Sequence, residues 1–214
     1  MFYSLTAHMY SYFTGLLYFI SGTSEKLFKR KVLIENLPMK GNEHVLDICC
    51  ANGRGTKIIS SFFREGNING IDLNPKMISR AMKYTVKNDN LKFKVGDCSN
   101  MPFQNNSFDI VTSFLALHEL STNLLPKVIS EIKRVLKSNG YLLVFDFAVP
   151  AKSFANINFV YYAFRLLEDE SAARFMMVDQ GEFFKKNGLH VVKHQKYMNG
   201  FINVYLLKKQ IKKY

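Results

Sequence analysis

Cysteine is scarce in this chain, three residues in 214, and their placement forms no disulfide framework. Cys49 and Cys50 are adjacent, so on an extended strand their side chains would point to opposite faces. No Cys-x-x-Cys or Cys/His spacing suggests zinc, so no metal site is expected, and a reducing cytoplasm is the natural setting. Long apolar runs are missing too. The stretch Leu16-Leu-Tyr-Phe-Ile20 is far too short to span a bilayer. An early basic region and a cleavage site are absent, which argues against a secretory signal. Acidic residues are few, 17 against 29 lysines and arginines, for a net charge of +12. That imbalance fits an anionic partner such as RNA, or an acidic membrane surface at which the chain would sit peripherally. A soluble surface decorated with lysines is the plainer reading.

What is present argues for a folded domain. Hydrophobic residues make up 48% and aromatic residues 14% of the chain, which excludes a disordered polymer. The length suits one well-cored α/β domain and is short for two.

One segment organises the rest: residues 44–59, His-Val-Leu-Asp-Ile-Cys-Cys-Ala-Asn-Gly-Arg-Gly-Thr-Lys-Ile-Ile. The apolar run from Val45 to Cys50 suits a buried parallel strand. Ala51, Gly53 and Gly55 then make a small-residue turn. A helical pattern follows, with Ile58, Ile59, Phe62 and Phe63 on one face. Strand, tight turn and helix start form a nucleotide-binding corner, where glycines let the backbone approach a ligand. Asp47 sits inside the strand, before the turn. A pyrophosphate would gain nothing from a carboxylate there, whereas an ammonium-bearing ligand would. That favours S-adenosylmethionine (SAM) over NAD.

Residues 1–40 read as helical and aromatic, with Ser24 capping a helix that runs to Leu37 before Pro38 and Gly41. Three readings compete for the first twenty residues: a lid over an active site, an amphipathic contact with lipid, or plain packing on the domain. A second strand, 68–73, ends at Asp72, about 20 residues after the turn, where nucleotide-binding folds place a carboxylate against ribose. The competing role for Asp72 is a helix cap before Asn74-Pro75. A helix over 75–86 follows, with Met77 near its start, placed either at the adenosine or in the core. A third strand over 91–97 leads into Asp97-Cys98, and a fourth over 108–117 ends at His118-Glu119. A helix over 124–136 is expected to stop at Asn139-Gly140, followed by a fifth strand over 141–147. Residues from about 150 to 175 form an aromatic insert. A helix over 179–187 then precedes two strands, 190–198 and 201–208, joined by Asn199-Gly200, a strong hairpin signal. Strand and helix in alternation give a doubly wound sheet, mostly parallel, closed by an antiparallel hairpin.

These residues resemble the class I SAM-dependent methyltransferases over roughly residues 40–209. The run from Val45 to Gly53 looks like the family's glycine motif. Ile71-Asp-Leu-Asn-Pro-Lys-Met77 is similar to its ribose segment, and Gly96-Asp-Cys98, Met101-Pro-Phe103 and Ser107-Phe-Asp-Ile-Val111 to its adenine segment and fourth strand. Residues 131–140 look like the helix end that precedes its fifth strand, with Ser138-Asn139 in place of Pro-Gly. Cys49 and Ala51 stand where the family usually has glycine. The Cys-Cys pair is similar to quinone-biosynthesis C-methyltransferases and some phospholipid N-methyltransferases.

The resemblance implies a Rossmann-like seven-stranded α/β fold, with a helical lid or cap at 1–40 and the SAM-binding domain at 41–214. It further implies SAM as cofactor, with S-adenosylhomocysteine as product. Asp47 and the backbone of Cys49, Ala51 and Gly53 would hold the methionine part. Asp72 would take the ribose hydroxyls with Leu73 beside it, and Asp97 and Cys98 would bracket adenine. Met77 and Leu115 would touch the cofactor, and Tyr10 would lie in the lid against the substrate. His118, at the fourth strand's tip, is the candidate catalytic base, should the acceptor have a proton to lose. No Asn/Asp-Pro-Pro-aromatic motif follows the fourth strand, which disfavours adenine amines as acceptors. The aromatic N-terminus and insert suggest an apolar cavity, hence a small or lipid-like acceptor. An RNA methyltransferase rests on charge alone. A non-catalytic methyltransferase-fold partner protein rests on the altered glycines, and an NAD-dependent oxidoreductase is disfavoured by Asp47.

Overall fold

Along the first strand Leu46 and Ile48 alternate with Val45 and Asp47, and this two-residue period assigns the two faces of the sheet. The computed structural model describes residues 24–148 and 170–210. Helix α1 spans Glu25–Asn36, β1 Val45–Ile48, α2 Arg54–Ser60, β2 Ile68–Asp72, α3 Pro75–Ala81 and β3 Leu91–Val95. Then come β4 Phe108–Phe114, α4 Leu125–Val135, β5 Leu136–Phe147, α5 Glu170–Met177, α6 Gln180–Lys186, β6 Leu189–Tyr197 and β7 Ile202–Lys209.

The seven strands lie in the order β3-β2-β1-β4-β5-β7-β6. Pairings among the first five are parallel, while β7 runs antiparallel to both β5 and β6. The doubly wound sheet and its closing hairpin are therefore as the sequence predicts. After β1 the chain winds outward through β2 to β3, then returns to β4 on the other side of β1. Ligands of such sheets bind at this reversal, outside the carboxyl ends of the strands.

Each face has its own core. Leu46, Ile48, Val111, Leu142, Val144 and Leu207 pack with Ile129 and Ile132 of α4 and Phe184 of α6. On the other face Val45, Ile110, Leu143, Phe145 and Val204 pack with Phe28, Val32 and Leu33 of α1 and Ile59 of α2. Ser24 caps α1, its side chain accepting from Leu27 N at 3.3 Å.

Several boundaries differ from expectation: β3 stops at Val95 and β4 at Phe114, short of 97 and 117, and three further differences have a local cause. Strand β1 ends at Ile48, and Cys49, at φ +50°, already belongs to the turn, so the two cysteines do not alternate on a strand. The helix over 75–86 is α only to Ala81 and tightens to a 3₁₀ turn from Met82 to Lys87. Asn139-Gly140 does not end α4. The last carbonyls of that helix, Arg134 and Val135, accept from Asn106 N and Ser107 N at 3.0 and 2.8 Å, so no glycine cap is needed and the chain passes directly into β5. Gly140 is there for close approach instead: a Cβ would lie 2.8 Å from the Asp109 carbonyl oxygen. Among the described residues, no helix is long and apolar enough to cross a membrane.

Candidate functional site

The carboxyl ends of β1, β2, β3 and β4 bring most of the expected residues together. Cys50 N donates to Ile71 O at 2.9 Å, carrying the β1–β2 ladder two residues past the end of β1. The chain then turns through Cys49, Ala51 and Gly53 at φ +50°, +47° and +73°. These left-handed values favour glycine. The positions where the family usually carries glycine therefore keep that backbone even with cysteine and alanine in place. Gly53 is sterically required as well, because a Cβ would sit 2.6 Å from the Phe93 ring and 2.7 Å from Ala81 Cβ.

Asp72 ties this turn to the tip of β2. One of its oxygens accepts from Ala51 N at 2.8 Å and the other from Asn74 N at 2.9 Å. The helix cap of α3 is Asn74, whose side chain accepts from Lys76 N, so Asp72 holds the loop and does not serve as the cap residue. Beside it Leu73 is 70% exposed, an aliphatic side chain left open to any flat ring. Met77 is half-buried near the start of α3. At the next strand tip, Asp97 accepts from Ser99 N and Oγ at 2.7 and 2.8 Å.

Cys98 reaches back across the gap, its Sγ 3.7 Å from Cys49 Sγ. The Cys49 S–H donated to Cys98 lowers the Cys98 pKa, and the same contact, with burial, pushes Cys49 up. Beyond β4, Leu115 is at φ +52° and donates its N–H to Phe145 O at 2.7 Å. Tyr10 lies outside the described residues, as do most of the expected lid and insert.

Asp47 points to the α1/α2 face and is 2% exposed. Its two oxygens accept from Thr56 Oγ1 of α2 at 2.6 Å and Thr112 Oγ1 of β4 at 2.7 Å. Burial raises its pKa to about 6, against the pull of both hydroxyls and of Lys29. The carboxylate thus braces the turn from beneath. Thr56 and Thr112 escape sequence reading because nothing local marks them; only the packing of α2 and β4 on β1 joins them to Asp47.

His118 follows β4 in a short 3₁₀ turn and is fully buried. Its Nδ1 lies 2.5 Å from Asp146 Oδ1 on β5, and its ring packs edge-on against Phe147. Asp146 was legible as the polar exception in an apolar strand, yet its partner could not be named without the β4–β5 pairing. A second unforeseen hub is Arg134. It donates to the carbonyls of Met101 and Phe103 at 2.8 and 2.6 Å and pairs with Glu131 at 2.7 Å. Glu131 in turn accepts from Met101 N at 2.7 Å, so α4 holds the loop that follows Cys98. Among the described residues, no cluster of His, Cys, Asp and Glu could hold a metal ion.

A glycine-type turn, a carboxylate at the second strand tip and an exposed aliphatic side chain beside it fit an adenosine-bearing cofactor. Residues 45–140 match the family described as methyltransferase domain. The chain is 28% identical over 176 residues to an uncharacterised methyltransferase of Synechocystis, covering 80% of this chain and 78% of that protein. It is 30% identical over 132 residues to demethylmenaquinone methyltransferase of Staphylococcus aureus, covering 61% of this chain and 54% of that one. It therefore spans about half the length of these quinone-modifying relatives. A SAM-dependent methyltransferase structure from Aquifex aeolicus shares the fold with a TM-score of 0.63 at 20% identity, over 84% of this chain and 89% of its own. The chain carries a methyltransferase domain over residues 45–140 and is similar in sequence and fold to the class I SAM-dependent methyltransferases. It is a SAM-dependent enzyme with the mostly parallel seven-stranded sheet of that class.

Proposed function

We propose that the chain transfers a methyl group from SAM to a small, lipid-like aromatic acceptor of the quinol type. The identity to demethylmenaquinone methyltransferase carries this reading. Composition supports it: the first 23 residues include Phe2, Tyr3, Tyr10, Tyr12, Phe13, Tyr18 and Phe19, and the insert Phe154, Phe159, Tyr161, Tyr162 and Phe164. Such residues suit an apolar cavity. A net charge of +12 suits transient contact with anionic headgroups, from which a membrane-dissolved acceptor is drawn.

In this reading the backbone of Cys49, Ala51 and Gly53, braced by Asp47, receives the methionine part. Asp72 receives the ribose hydroxyls with Leu73 alongside. Asp97 and Cys98 flank adenine, Met77 and Leu115 complete the wall, and Tyr10 contacts the acceptor. SAM supplies an electrophilic methyl on a sulfur that is already a good leaving group, so positioning and exclusion of water account for most of the acceleration. His118 takes the proton released by the acceptor hydroxyl. The acceptor's ring carbon meanwhile bonds to the methyl carbon, and the broken C–S bond leaves its electrons on sulfur. Loss of the ring C–H proton to water then restores the aromatic ring, and the His118 imidazolium returns its proton to the quinol oxygen, so that one proton is released per methyl transferred. Asp146 stabilises the imidazolium until then.

The test uses the whole chain, methyl-labelled SAM and two acceptors, a short-chain prenylated naphthoquinol kept reduced and a mixed RNA pool at low salt. Label in the quinol, with His118→Gln lowering kcat while S-adenosylhomocysteine affinity holds, is the expected result. Label in RNA alone, or in neither, overturns the quinol reading.

A further inference from the structure

Lys29 is a lysine only 8% exposed, although lysine ammonium groups are almost never buried without a charged partner. It stands on the inward face of α1, in helical step with Val32, Leu33 and Asn36. Its Nζ donates to Glu25 Oε1 at 2.8 Å and lies 5.5 Å from the Phe114 ring centroid. A Cβ placed on Gly55 would be 3.6 Å from that nitrogen and 3.9 Å from Asp47 Oδ2. A nine-tenths-buried ammonium therefore overlooks the bare backbone that follows the glycine-type turn, beside the ends of β1 and β4.

The order of the strand tips sets which part of the cofactor this location serves. A carboxylate at the second strand tip, Asp72, belongs to the ribose. Adenine then extends toward β3, where Asp97 and Cys98 lie. The amino-acid end runs the opposite way, toward β1 and β4. That end carries an ammonium and a carboxylate. Glu25 and Asp47 supply negative charge there, and Lys29 supplies the buried positive charge. Arg54, the other cation acting on Glu25, has its side chain exposed to solvent.

We propose that Lys29 binds the carboxylate of the methionine part of SAM and so makes α1 part of the cofactor site. This rests on the cofactor and is independent of the acceptor. Calorimetry on the whole chain tests it with two probes: S-adenosylhomocysteine, and 5′-methylthioadenosine, which keeps the adenosine and thioether and lacks the amino acid. The expected result is that Lys29→Met weakens S-adenosylhomocysteine about 10- to 100-fold, the worth of a charge-assisted contact, and leaves 5′-methylthioadenosine within about 2-fold. Lys29→Arg is expected to restore most of the loss. Lys29→Gln replaces Lys29→Met should that variant fail to fold. Equal weakening of both probes, or no weakening of either, overturns the proposal. Wild-type protein that bound neither probe would sink the cofactor assignment, and this role with it.

Discussion

His118 Nδ1 and Asp146 Oδ1 lie 2.5 Å apart with both side chains fully buried. The same carboxylate accepts from Leu117 N, His118 N and Phe147 N at 2.9, 3.3 and 2.8 Å. One side chain on β5 thus fastens the turn that follows β4. Truncation as Asp146→Ala removes the acceptor of one imidazole nitrogen and of three backbone N–H groups, and is expected to cost about 3–5 kcal/mol. Asp146→Asn, which keeps acceptor capacity, is expected to cost less. Urea denaturation measures both, and a loss under about 1 kcal/mol for the alanine variant would contradict the finding.

The left-handed turn gives opposite expectations at two neighbouring positions. Ala51, at φ +47° with its methyl exposed, bears strain without burial, so Ala51→Gly is expected to raise stability by about 0.5–1 kcal/mol. Gly53→Ala adds a Cβ within 2.6 Å of Phe93 at φ +73° and is expected to cost about 3 kcal/mol or more. Melting temperatures moving in the same direction for both variants would refute this reading of the turn.

Asp47 makes stability depend on pH in an unusual direction. Its carboxyl stays protonated in the folded state up to about pH 6, while the unfolded chain releases that proton near 3.8. The folded state binds more protons in that window, so this contribution to stability is present below it and lost as pH rises through it. Asp47→Asn removes the titration. Its stability relative to wild type is expected to climb by about 2 kcal/mol from pH 4 to pH 6, out of about 3 kcal/mol across the whole titration, and to level off above about pH 7. Lys29 and Asp72, the charges that act on Asp47, are unchanged in the comparison. A difference that stays flat across the window would rule out the raised value.

Arg134 holds the loop after Cys98 with a planar fork that lysine cannot reproduce. Arg134→Lys is expected to cost about 1–2 kcal/mol of stability and to weaken S-adenosylhomocysteine severalfold, because Cys98 sits at the start of that loop. Unchanged affinity would show that the loop keeps its place without the fork.

The sequence alone determined the order of elements, the parallel sheet with its antiparallel close, and the residues gathered at the strand tips. These follow from local signals: the apolar run of β1, the Asn199-Gly200 turn, and the small residues around Gly53. The sequence could not say which polar groups meet. Thr56 and Thr112 lie 9 and 65 residues from Asp47, and Asp146 lies 28 residues from His118. Only the β1–β4–β5 register and the docking of α1 and α2 bring them together.

The same distinction explains the errors at Asn139-Gly140 and Cys49. A glycine at a helix end and a glycine at a close backbone approach look alike in one dimension. A cysteine in an apolar run reads as strand until the turn's left-handed φ is seen. Local chemistry selects conformations, whereas long-range pairing decides which group each side chain faces. That is why Asp47, placed by the sequence at the methionine part, discloses only in the structure that its two oxygens accept from Thr56 and Thr112.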